Sequence, residues 1–288
     1  MIPVKVAEHH VDVCDGVLRK ALEEAKISVK NIDGIAFSQG PGIGHCLRIG
    51  AVMARSLALQ LKKPLIGVNH CIAHLEVGRL FFPIRDPVLL YASGANTQII
   101  AYEAGKYRVF GETLDNGVGN FLDSFGRDLG LGFPAGPLIE KKALGGKYVK
   151  LPYSVKGMDV SFGGIYTNLL HKIERKEHKT EDLCFSVQET VFAMLVEVAE
   201  RAMAHCGKTE LLLGGGVGCN KRLQEMCRIM CEERKAKFYV PERQYLIDNG
   251  AMIAWTGMLM LKAGETIEVE ESAIRPYERT DEVTVGWR

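Results

Sequence analysis

Short apolar runs of strand length alternate with segments of helical periodicity along this chain, and that alternation most narrows what it can fold into. Strands are expected at residues 32–37, 64–68, 88–92, 210–213 and 237–240. The 88–92 run turns through Ser93-Gly94-Ala95-Asn96-Thr97 into 98–102, and the Ala104-Gly105-Lys106 turn predicts a hairpin back through 107–110. Helices are expected at 5–25, from the glycine-rich turn 39–44 to about 61, and at 70–80, 118–129, 182–206 and 249–263. Val11, Cys14, Leu18, Leu22 and Ala25 would form the inner face of the first, and Val187, Val191, Met194, Leu195, Val198 and Ala202 that of 182–206. Strands alternating with helices in both halves argue for an α/β protein with helix-covered sheets. A ligand cleft is then expected beyond the strand ends, between two lobes. The Gly- and Pro-rich stretch 130–137 places the lobe boundary, giving lobes 1–132 and 133–288.

Composition sets few further bounds. The 288 residues are 47% hydrophobic and 25% charged, enough for a large core without staples. A net charge of +1 does not by itself mark a nucleic-acid binder, so a nucleic-acid substrate would need partner subunits to share the grip. The eight cysteines form no CxxC pair, which reads as free thiols in a reducing compartment, and no apolar run is long enough for a membrane span.

The sharpest chemical feature is Asn69-His70-Cys71-Ile72-Ala73-His74. Histidines four apart share one helix face and can reach one ion, although the same pattern also suits two polar histidines on a surface helix. A zinc protease needs Glu one position after the first histidine as general base, and Cys71 stands there, so a metalloprotease reading loses its catalytic residue. Asp248, in Ile247-Asp248-Asn249-Gly250-Ala251-Met252, reads either as a helix N-cap or as the carboxylate that completes a histidine-pair site. Two glycine-rich turns follow apolar strands: Ser93 to Thr97, and Gly214-Gly215-Gly216-Val217-Gly218-Cys219-Asn220. Each is either a plain tight turn or a phosphate cradle, and neither fits the P-loop pattern. Lys141, Lys142, Lys147, Lys150 and Lys156 read as a solvated face before a tRNA contact, and Cys227 and Cys231 as small core residues.

Taken together, Asn69 to His74, Tyr91-Ala92-Ser93-Gly94-Ala95-Asn96-Thr97-Gln98, Gly111-Glu112-Thr113-Leu114-Asp115, Gly157-Met158-Asp159-Val160-Ser161-Phe162, Asp248 to Met252 and the tail Arg279-Thr280-Asp281-Glu282-Val283 resemble the TsaD family. The likeness runs from about residue 3 to the end. It is strongest to the archaeal and eukaryotic branch, the catalytic subunit of the KEOPS complex (OSGEP type). The resemblance implies a two-lobed fold of the actin, sugar kinase and Hsp70 type (ASKHA), each lobe on a ribonuclease-H-like sheet. It implies one divalent metal ion, iron or zinc, held by His70, His74, Tyr91 and Asp248. It also implies a nucleotide pocket lined by Tyr91, Ala92, Ser93, Gly94, Ala95, Asp123, Gly136, Glu140 and Asn220, with Asp123 and Glu140 at the ribose hydroxyls.

The activity implied is that of a tRNA N6-adenosine threonylcarbamoyltransferase. Threonylcarbamoyl-AMP would acylate the adenosine beside the anticodon of tRNAs reading codons that start with A, with an ATP- or ADP-like nucleotide as an alternative occupant of the pocket. Implied partners are the small atypical kinase, the dimerising subunit and accessory KEOPS members, in the cytoplasm and nucleus and off the membrane. No residue emerges as general base. The family pattern opens with strands around a glycine- and acid-containing turn, about 30–40 residues at ordinary strand lengths, that find no counterpart here; their loss would leave an exposed sheet edge. Ala95 stands where a second glycine is usual, and Gly163 where a serine is usual. These departures keep a second reading open, a catalytically impaired scaffold subunit of the same complex.

Overall fold

The computed structural model describes residues 3–288, so the first two residues of the expected N-terminal lobe lie outside it. The chain forms two compact units: the chain up to Val77 with Asn249–Arg288, and Gly78–Asp248. The expected division at 132/133 does not coincide with this one. Residues 130–137 instead join α4 (Val118–Asp128) to α5 (Gly136–Lys142) inside the second unit, where Phe125, Ala135 and Ile139 share one core.

The first unit runs α1 (Pro3–Ala25), β1 (Ile35–Gly40), α2 (Gly44–Leu61), β2 (Leu65–Asn69) and the start of α3 (His70–Phe81), and resumes at α10 (Gly250–Lys262). β1 and β2 pair in parallel, Ile35 opposite Leu65 and Ser38 opposite Val68. Alternation splits their apolar side chains between two faces. Ile35, Phe37 and Leu65 pack on the small residues Ala51, Ala54 and Ala58 of α2. Ile66 and Val68 pack with Ala73 and Val77 of α3 and Met252 of α10. Helix α1 is where the sequence expected it, but Val11 is 60% exposed and none of its described side chains, from Val4 on, is fully buried. The face toward α2 is Val13, Cys14, Val17, Leu18 and Ala21, which with Met53, Leu57 and Ile35 line an open apolar groove of about 560 Å³.

The second unit contains β3 (Val88–Ala92), β4 (Thr97–Glu103), β5 (Lys106–Glu112), α4, α5, β6 (Val155–Lys156), β7 (Asp159–Val160), α6 (Gly163–Arg175), α7 (Thr180–Cys206), β8 (Glu210–Gly214), α8 (Lys221–Glu233), β9 (Lys237–Tyr239) and α9 (Arg243–Leu246). Its main sheet has the order β5-β4-β3-β8-β9. β3 is antiparallel to β4 and parallel to β8. The α7 face expected from periodicity is buried throughout, and Cys227 and Cys231 are core residues as expected. The protein is thus α/β with mixed sheets. Among the described residues no helix is long and apolar enough to cross a membrane.

Candidate metal centre and nucleotide site

Asn69, the last residue of β2, starts the helix that carries both histidines. Its Oδ1 accepts from the backbone N–H groups of Cys71 and Ile72, 3.0 and 3.2 Å away, satisfying two donors that a helix start leaves open. His70 and His74 then fall one turn apart with ring centroids 4.9 Å from each other; His74 is 2% exposed. Asp248 immediately precedes Asn249, where the first unit resumes. The alternative reading of Asp248 as a helix cap does not hold: Asn249 caps α10 through Met252 N–H at 2.9 Å, which leaves the Asp248 carboxylate outside the helix.

Donor atoms of His70, His74 and Asp248 all lie within 4.8 Å of one another. Ligands bonded at roughly 2.0–2.2 Å in a tetrahedral site lie about 3.3–3.6 Å apart, so the donors would draw in by about an ångström around an ion. Two imidazole nitrogens and one carboxylate oxygen suit zinc or iron and leave coordination positions for water or substrate oxygen. The residues therefore fit the ion that the family implies. Tyr91 lies on β3, 2% exposed, paired with Gln98 and Gly214 across the sheet.

The remaining expected site residues all belong to the second unit. Ser93 closes a turn with Asn96, its N–H donating to Asn96 O at 2.9 Å, and the turn is then seated on α4. Gly119 N–H donates to Ser93 O and Asn120 N–H to Gly94 O, both at 2.9 Å. Gly215, at φ +86°, rests on the Ala92 carbonyl, where a Cβ would overlap it. The two glycine-rich turns thus meet backbone to backbone. Ala95 is exposed and its backbone is not in the left-handed region, so its methyl is accommodated in this turn.

Asp123 accepts from Ala135 N–H at 2.7 Å, just before Gly136, whose Cβ position opens onto free space. Asn220, 8% exposed, caps α8 by accepting from Arg222 and Leu223 N–H, and donates to Gln188 Oε1 at 2.7 Å. Glu140 Oε1 accepts from Lys221 N–H at 2.7 Å. Asp123 and Glu140 each retain acceptor capacity for hydroxyls. Glu140 borders a cavity of about 400 Å³ that Gln188, Glu189, Lys221 and Arg222 also line. The five lysines of 141–156 are exposed, and Lys142 pairs with Glu181.

Sequence reasoning assigned no role to Asp115. Its carboxylate accepts from Ser161 Oγ and from the N–H groups of Phe162 and Gly163, fixing the start of α6. Burial raises its pKa, but these hydrogen bonds outweigh it and hold the group at about 2. The motifs at 111–115 and 157–162 therefore form one contact, with Leu114 N–H on Val160 O and Glu112 N–H on Asp159 Oδ1. At Gly163 a Cβ would sit 3.1 Å from Asp115 Oδ2, a close contact that a small shift of the carboxylate would relieve, so nothing in the structure explains this departure.

Residues 1–255 match the family described as TsaD: tRNA N6-adenosine threonylcarbamoyltransferase. A tRNA N6-adenosine threonylcarbamoyltransferase of Thermococcus sibiricus is 56% identical over 286 residues, covering 99% of this chain and 88% of that one. A probable bifunctional tRNA threonylcarbamoyladenosine biosynthesis protein of Methanocorpusculum labreanum is 57% identical over 286 residues, covering 99% of this chain and 54% of that one, so the chain spans about half of that relative. In fold alone, the crystal structure of HypF from T. kodakarensis resembles this chain with a TM-score of 0.72 at 16% identity, over 92% of this chain and 45% of that one. Identity above one half across nearly the whole sequence, together with a histidine pair and carboxylate in metal-binding reach, leads to one conclusion: the chain belongs to the TsaD family of tRNA N6-adenosine threonylcarbamoyltransferases.

Proposed function

We propose that this chain transfers the threonylcarbamoyl group of threonylcarbamoyl-AMP to N6 of the adenosine beside the anticodon in tRNAs reading codons that begin with A. The observation that carries the reading is the convergence of His70, His74 and Asp248 in a chain with the family's sequence. His70, His74 and Asp248 would hold one zinc or iron ion, with Tyr91 as a further ligand. Such an ion supplies Lewis-acid polarisation of an acyl or phosphoryl oxygen when bound.

The chain's own residues bind and orient. The meeting turns of Tyr91 to Ala95 and 214–220 present backbone amides suited to a phosphate. Asp123 and Glu140 take the ribose hydroxyls, Gly136 leaves the wall open, and Asn220 holds the start of α8 against it. The 400 Å³ cavity beside Glu140 takes the base of the AMP moiety. Attack of the N6 amine on the carbamoyl carbonyl forms the new C–N bond as the bond to AMP breaks, and the amine proton leaves to solvent.

The sheet order β5-β4-β3-β8-β9, with β4 reversed, supports the ribonuclease-H-like reading of the second unit and hence an actin-like architecture. None of the eight cysteines is in a disulfide, which suits a reducing cytoplasm. The KEOPS kinase, dimerising and accessory subunits are the proposed partners.

The test is single-turnover transfer from threonylcarbamoyl-AMP to unmodified tRNA with partner subunits present, read by mass analysis of the nucleosides. His70→Ala is expected to remain folded and lose transfer; wild-type turnover in that variant would overturn the metal role. If the wild-type chain binds metal and AMP yet never transfers, the scaffold reading replaces this one.

A further inference from the structure

The His70–His74 helix is gripped by the C-terminal segment at two points, and neither grip is part of the ligand set. At its start, Asn69 Nδ2 donates to Glu278 Oε2 at 2.9 Å while Asn69 Oδ1 caps the helix. A carboxylate only accepts, so Glu278 dictates which end of the Asn69 amide faces it and leaves the oxygen for Cys71 and Ile72. Were the amide to flip, its NH2 would confront those two N–H donors. Further along α3, beyond His74, Glu76 is fully buried; its carboxylate accepts from Trp287 Nε1 at 3.2 Å and lies 3.9 Å from Arg288 Nε.

Glu278 does not reach Asn69 on a loose strand. Its carboxylate also accepts from Arg275 Nη1 at 2.8 Å. Arg275 N–H donates to Gln39 O at 2.8 Å, Gln39 Nε2 donates to Ala273 O at 2.8 Å, and Arg55 binds Ser272 Oγ at 2.7 Å. Gly40 has no room for a Cβ against the Arg275 carbonyl. The tail is therefore fixed along β1 before it arrives at the metal helix, and it transmits that position to His70 through the cap.

We infer that the segment 272–288 is a positioning element of the metal centre: Glu278, acting through Asn69, and Trp287 with Arg288, acting through Glu76, set the placement of α3 that lets His70 and His74 converge with Asp248. This rests on the metal reading above, and the experiment separates the two. Outer-shell groups of this kind typically affect metal affinity about 10–100-fold when removed.

The whole chain is loaded with Co(II), and affinity is measured by competition with a chelator alongside the visible spectrum of the bound ion. Glu278→Ala is expected to weaken Co(II) binding about tenfold and to shift the visible bands. Glu278→Gln keeps an acceptor oxygen and should restore both within about threefold of wild type, as a conservative replacement of one hydrogen bond. Ile165→Ala, in the core of the second unit, serves as the control for lost stability alone: it should lower the melting temperature and leave affinity and spectrum unchanged. Should Glu278→Ala fail to fold, Trp287→Phe removes a single donor to Glu76 and is expected to weaken binding in the same direction. Wild-type affinity and bands in the folded variants would overturn the inference. His70→Ala must abolish the spectrum; if it does not, the ligand assignment fails rather than the role of the tail.

Discussion

Trp255 on α10 donates its indole N–H to the main-chain oxygen of Glu76 on α3, 2.9 Å away. That bond ties the helix that follows Asp248 to the helix that carries both histidines, beside the apolar contact of Met252 with Ala73 and Val77. Trp255→Phe keeps most of the ring and removes the donor. It should cost about 1 kcal/mol of stability, the usual net worth of such a bond, and weaken metal binding as the two helices loosen. Urea melts with and without zinc check both.

Asn220 serves two partners at once, the start of α8 and the buried Gln188 amide. Asn220→Ala removes a cap and leaves Gln188 Oε1 without this donor, for a loss of about 2 kcal/mol. AMP binding should weaken in the same variant, because the wall of the proposed pocket shifts with α8. Denaturant melts and titration calorimetry with AMP measure the two effects.

Asp115 makes stability depend on acid. Its pKa falls from an ordinary 3.8 unfolded to about 2 folded, because the hydrogen bonds from Ser161, Phe162 and Gly163 more than offset burial. The stabilisation is complete above pH 4 and is lost as pH falls toward 2. The melting-temperature difference between wild type and Asp115→Asn should therefore be constant near neutrality and shrink across that window. A difference that grows on acidification would refute the assignment.

Gly215 has a positive φ and no space for a methyl against Ala92. Gly215→Ala should cost about 1–3 kcal/mol from backbone strain alone, and the contact with the Ala92 carbonyl adds to it. Separation of the two turns should also abolish AMP binding. Calorimetry on the folded fraction tests this directly.

How far the sequence could be read follows from how far each signal reaches along the chain. Helices α2, α3, α4 and α7 and the β4–β5 hairpin announce themselves by local periodicity and turn residues, and they stand where expected. On α1, Val11, Val13 and Val17 point around the cylinder, so periodicity alone could not choose the face that meets α2. Helices α5 and α6 went unread because neither has a side-chain cap of its own. Asp123 and Asp115 supply the contacts at their starts from elsewhere in the sequence. His70 and His74 were legible because four residues suffice to place them; Asp248 looked like a cap until Asn249 was seen to take that task. Glu278 and Trp255 left no local trace, since their partners Asn69 and Glu76 lie far away in sequence.

The first unit is stitched from the two ends of the chain, with the second unit an unbroken stretch between them. Synthesis from the ribosome therefore delivers Gly78–Asp248 as a continuous piece that can begin folding on its own. Helix α3 acquires Trp255 of α10 and the Asn69 contact with Glu278 only after the second unit has been made. A chain stopped before Asn249 would carry the whole second unit but lack α10 and the 272–288 segment that hold α3.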